Sequence, residues 1–111
     1  MKIREVLMAI AVLYPLAGYS ASFDCQKAMQ ADEKAICADR SLNDMDVAMA
    51  KKYQFLRGLF PMGTRGRMID AQKAWLHSRQ KCGSDISCLT KSYEGRLQQL
   101  DEIYAGIDKP L

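Results

Sequence analysis

The stretch "SLNDMDVAMAKKYQFLRGLF", residues 41–60, decides the fold class. Leu42, Met45, Met49, Tyr53, Leu56 and Phe60 follow one another at steps of three and four without a miss. That spacing puts all six on one face of an α-helix, and it lacks the alternation of a strand. Ser41 is a good N-cap, with Asp44 three residues on as a weak capping box. Gly58, Pro61 and Gly63 close the helix. One charged residue, Asp46, interrupts the apolar stripe.

The flanking segments read the same way. Ala, Leu, Met, Lys, Gln and Glu dominate, β-branched residues never cluster, and Pro occurs only at positions 15, 61 and 110. Upstream, Asp32 and Glu33 stand at the front of a short helix running to Ala38, where negative charge suits the helix dipole. Downstream, Thr64 is a candidate cap for a third helix with Met68, Ala71, Trp75 and Leu76 in its stripe and Arg79 on the same line. Gly83 suits the left-handed turn after it. Ser84 or Asp85 then caps a fourth helix whose buried face reads Leu89, Tyr93, Leu97, Leu100, Ile103, Tyr104 and Ile107. The expectation is an all-α fold: a small, disulfide-stapled antiparallel bundle of three to four helices in one domain over 23–111.

Residues 1–22 read as a secretory signal peptide. Lys2 and Arg4 precede an apolar run from Val6 to Ala17, and a small-residue segment follows. The run is too short for a membrane span. Small residues at the last and third-last positions favour cleavage after Ser20 or Ser22 over cleavage after Ala21. No Cys stands where a lipid anchor would need it. Export to the periplasm or medium, with no stable membrane anchor after cleavage, is the expected location. Losing residues 1–22 removes two cations and one anion, taking the net charge from +3 to +2. So small a charge gives no pointer to nucleic acid.

Four Cys in a small exported chain read as two disulfides. Proximity favours Cys25–Cys37 and Cys82–Cys88, the second locking the corner between the third and fourth helices. A scheme linking each N-terminal Cys to one of the second pair stays open. No CxxC or HxxxH pair exists, so neither a zinc site nor a redox site is expected, and no cofactor is implied. His77, the only His, falls on the far side of its helix from Trp75. A lone His without a placed nucleophile makes no catalytic site, and the chain does not read as an enzyme.

The candidate site consists of polar residues on apolar helix faces: Asp46, Gln72, Arg79 and Arg96, together with Trp75 and Tyr93. They read either as an internal network, with Asp46 paired to Arg79 or Arg96, or as a partner-binding patch, since Trp and Arg are favoured at hot spots. The segment "LFPMGTRGR", residues 59–67, is the second candidate. Read as a Gly-rich loop, it offers Phe60, Met62, Arg65 and Arg67 to a partner.

"FDCQKA", "EKAIC", "LNDMD" with Tyr53, and "QKAWLHSRQKCGSDISCLTKSYEGRL" together resemble the LprI-type lysozyme inhibitor N-terminal domain family. The resemblance runs from Phe23 to Leu100 and rests on Cys25, Cys37, Gln72, Trp75, Arg79, Cys82, Cys88, Tyr93 and Arg96. It implies a helical, disulfide-stapled periplasmic domain and a candidate activity, inhibition of a lysozyme-type muramidase through protein–protein contact. The chain departs from the family's namesake in lacking a lipobox and a second domain. The alternative is an accessory or structural cell-envelope module that binds another protein without inhibiting it.

Overall fold

The computed structural model describes residues 21–107. Most of the expected leader, residues 1–20, and Pro110 lie outside them. Among the described residues the chain forms a 3-10 turn at Cys25–Lys27 and four α-helices: α1 (Ala31–Ala38), α2 (Arg40–Leu59), α3 (Met62–Gln80) and α4 (Ile86–Ala105). None is long and apolar enough to cross a membrane.

The all-helical reading holds, with corrections at the helix ends. α2 is capped by Asp39, not Ser41: the Asp39 carboxylate accepts the Leu42 amide at 2.9 Å. A carboxylate next to a helix N-terminus also meets the dipole favourably, which a serine hydroxyl does not. α3 begins at Met62, ahead of Thr64, because Pro61 already supplies the extended backbone that a first turn needs. The expected loop at 59–67 therefore shrinks to Phe60 and Pro61. Asp85 caps α4 by accepting the Cys88 amide at 3.1 Å. Gly83 takes φ 58°, where a side chain would be strained.

The α2 stripe does what its spacing requires. Leu42, Met49, Tyr53 and Leu56 are buried, and Met45 and Phe60 pack against them at half-burial. Ile36 from α1, Met68 from α3 and Leu89, Tyr93 and Leu100 from α4 complete the core. Two stripe members differ from expectation. Ala71 is exposed, its place in the α3 line taken by Gln72, and Tyr104 is 43 % exposed at the end of α4.

Cross-helix contacts give the topology. Asp46 meets Tyr93, Lys52 meets Asp101 and Phe55 meets Tyr104, so α2 and α4 run parallel. α3 runs against both: Gln72 contacts Met49 and Arg96, and Trp75 contacts Ser92. The three long helices go up, down and up, with successive helices antiparallel as short links demand. α2 and α4, the parallel pair, share the most extensive packing.

Both expected disulfides are present, and the cross-linked alternative is not. Cys25–Cys37 ties the N-terminal segment to α1, and Cys82–Cys88 bridges the α3–α4 corner. Both lie toward the end of the bundle where α2 starts. The opposite end has no covalent staple among the described residues.

Candidate functional site

The polar residues on the helix faces converge in the core. Asp46, Gln72, Arg79, Tyr93 and Arg96 are all buried, and Trp75 is half-buried against them. Two clusters result.

The first is centred on Arg79. Its Nε donates to Asp32 Oδ2 at 2.9 Å, and its Nη1 donates to the Tyr93 hydroxyl at 3.1 Å. That hydroxyl donates in turn to Asp46 Oδ1 at 2.8 Å. The other Asp46 oxygen accepts the Ser22 backbone amide at 2.6 Å. The Phe23 and Trp75 rings lie 5.7 and 5.8 Å from the guanidinium carbon, within cation–π range. Trp75 also meets the Tyr93 ring edge-on at 5.0 Å, and its indole N–H donates to Ser92 O. No buried side-chain nitrogen or oxygen among the described residues lacks a partner.

Of the two partners expected for Asp46, Arg79 is the one it meets, as an ion pair at 3.9 Å, and Arg96 is not; the closer counter-ion of Arg79 is one the sequence reading did not name. Arg79 takes Asp32 as its direct counter-ion, and Asp46 stands 3.9 Å away, joined through the Tyr93 hydroxyl. Sequence reading assigned Asp32 to the α1 dipole and missed its second role. The available signal was spacing: Asp32 lies four residues before the fully buried Ile36 and so on the same helix face. Ser22 carried no such signal, since its contribution is a backbone amide.

The charges are mutually tuned. Burial raises the Tyr93 pKa far above its ordinary value, and the Asp46 charge adds to the rise. Burial works against the Arg79 charge, but the Tyr93 and Asp32 interactions outweigh it and its pKa rises. The Tyr93 hydroxyl therefore stays protonated and serves as a fixed relay between Arg79 and Asp46. The bonds of the cluster join all four helices: Asp32 from α1, Asp46 from α2, Arg79 from α3 and Tyr93 from α4.

The second cluster is centred on Arg96. Its Nε donates to Gln72 Oε1 at 3.0 Å and its Nη1 to Gln99 Oε1 at 3.2 Å. Burial lowers its pKa, offset in part by Tyr53.

The residues of the 59–67 segment fall elsewhere. Phe60 packs inward at half-burial, whereas Met62 is 85 % exposed. Arg65 folds back over the α2 end, its Nε donating to Arg57 O and its Nη2 to Phe60 O, both at 3.1 Å. Arg67 is exposed and donates to the Thr64 hydroxyl. Because α2 and α4 are parallel, this corner shares its end of the bundle with the exposed Phe55, Leu59 and Tyr104. His77 is exposed on α3. No group of three His, Cys, Asp or Glu side chains among the described residues could hold a metal ion.

With this geometry in place, comparison with known proteins gives one match: a family model described as "Lysozyme inhibitor LprI" covers residues 25–100, more than half of the chain. The span takes in both disulfides and every member of the two buried clusters except Ser22 and Phe23. Neither a curated protein nor a solved structure gives a significant match.

Proposed function

Because the chain belongs to the LprI lysozyme inhibitor family, we propose that it is an exported binding protein that blocks a lysozyme-type muramidase by occupying its cleft. The contact surface is the unstapled end of the bundle. The observation that carries this reading is the corner between α2 and α3, where Met62 stands 85 % exposed beside Leu59 and the exposed side chains of Arg65 and Arg67. An inhibitor of a cleft enzyme needs side chains that stand out from its surface, and Met62 at this corner is such a side chain. Glycoside hydrolases of this kind work with a pair of carboxylates flanking the scissile bond. Arginines on the inserting feature complement that charge. Arg65 also anchors the corner to the Arg57 and Phe60 carbonyls, so little conformational freedom remains to be lost on binding. The buried Arg79 cluster supports the reading indirectly, by holding the three long helices in register.

The test is a muramidase assay with the oxidised protein against lysozymes of several types. Inhibition by the wild type, weakened at least about tenfold in Met62→Asp and Arg67→Glu with thermal stability unchanged, is the expected outcome. No inhibition of any lysozyme at micromolar protein returns the chain to the accessory envelope-module reading. Inhibition undiminished in both variants moves the contact away from this corner.

A further inference from the structure

A groove of ≈ 470 Å³ runs between α3 and α4, on a different surface from the corner. Its cations are Lys81, Lys91 and Arg96, and no carboxylate lines it. Lys81 and Lys91 are exposed at its rim, and Arg96 is its buried member. Buried charges ordinarily have a counter-ion. Arg79, on the facing helix, has Asp32 and Asp46; Arg96 has no carboxylate within ion-pair distance among the described residues. Its acceptors are the neutral amides of Gln72 and Gln99, which fix the plane of the guanidinium without cancelling its charge.

Two further features fit a ligand site. Gly95 sits in the groove in mid-helix, where glycine disfavours the helix, yet a Cβ built there meets nothing within 4 Å. Packing therefore does not require the glycine, and its effect is to keep the groove open. The walls are also tied together, by the Cys82–Cys88 bridge and by the Trp75 N–H bond to Ser92 O, all four residues lining the groove. The volume suits a small molecule.

From this geometry we infer that the α3–α4 groove binds a small polyanion, a ligand carrying two or more carboxylate or phosphate groups, with Arg96 as its fixed anchor and Lys81 and Lys91 as its rim contacts. The planar donors of Arg96 suit either oxyanion, and the lysines act as point charges beside it. The inference does not depend on lysozyme inhibition, because the corner and the groove share no residue.

Trp75, the only Trp of the chain, lines the groove and reports on it. The oxidised protein is titrated with citrate and, separately, with pyrophosphate, each at constant ionic strength set with sodium chloride. A saturable change in Trp75 fluorescence with either anion is expected, and which anion responds identifies the oxyanion. The Lys81→Gln/Lys91→Gln double variant changes two exposed side chains and should keep its fold; it should bind at least about tenfold more weakly. Gly95→Ala, which adds a methyl group to the groove, should also weaken binding while leaving the helix intact. No saturable response to either anion at millimolar concentration overturns the site. So does a response that the double variant retains in full.

Discussion

At the scale of the residue, Arg79 is the point where the structure is most exposed to test. It faces two buried carboxylates, so deleting it leaves both without a cation. Arg79→Met should therefore cost about 3–5 kcal/mol in chemical denaturation. Adding Asp32→Asn should recover part of that loss, because the second change removes one of the stranded charges. Simple additivity of the two changes would mean that they do not interact. Tyr93 sets a pH dependence. Its folded pKa lies above the unfolded value of 10.0, so the native state holds its proton more tightly than the unfolded state does. Stability from this group is complete below that unfolded value and falls as pH rises above it. Unfolding midpoints should drop above about pH 10, and Tyr93→Phe should show a shallower drop. A wild type and a variant with parallel profiles would remove Tyr93 as the cause. The membership of the two clusters was legible in part, because Asp46, Gln72, Arg79 and Arg96 break apolar stripes, whereas Asp32 and Ser22 went unseen. The pairing was not legible, since Asp32 and Arg79 are 47 residues apart and helical spacing says nothing of which faces meet.

At the scale of the element, the α2 period specified helix, while the ends depended on side chains that compete to cap. Ser41 and Asp39 are both acceptable caps by type, and only the backbone decides between them. The 59–67 segment misled for a related reason. Gly63 and Gly66 lower helix propensity, but tertiary packing of Met68 and Gln72 carries α3 through both. Gly58 gives the converse test. It lies in the last turn of α2, and a Cβ added there would meet nothing within 4 Å. Gly58→Ala should therefore stabilise by about 0.5–1 kcal/mol, read as a rise in Tm. The disulfides are graded by loop length. Replacing Cys82 and Cys88 by Ser should cost about 2 kcal/mol, and replacing Cys25 and Cys37 about 3 kcal/mol, on loop-closure entropy alone. A larger loss for the shorter loop would show that the α3–α4 corner carries packing that entropy does not describe.

At the scale of the whole molecule, the bundle is asymmetric: two disulfides and a buried ion cluster at one end, exposed apolar and basic side chains at the other. The stapled end was largely legible, because cysteines announce themselves. The exposed end was legible only in part: the 59–67 segment offered Met62, Arg65 and Arg67, but Phe55 and Tyr104 join that corner only through the parallel packing of α2 and α4. The same packing makes the start of the domain a matter for experiment. Asp46 is fully buried, and one of its oxygens accepts only the Ser22 amide among the bonds described. Phe23 lies over Arg79 in the same cluster. A chain that began at Phe23 would leave that oxygen without its donor, at a cost on the order of 1–3 kcal/mol. Of the two cleavage positions that small residues favour, the one after Ser20 keeps Ser22 and the one after Ser22 discards it. Where the proposed leader is cleaved, the chain is expected to begin at Ala21, as read by intact mass and N-terminal sequencing. Recombinant 21–111 should also unfold at a higher temperature than 23–111. Equal melting temperatures would show that Asp46 draws its donor from elsewhere, and a mature chain starting at Phe23 would show that export tolerates the loss.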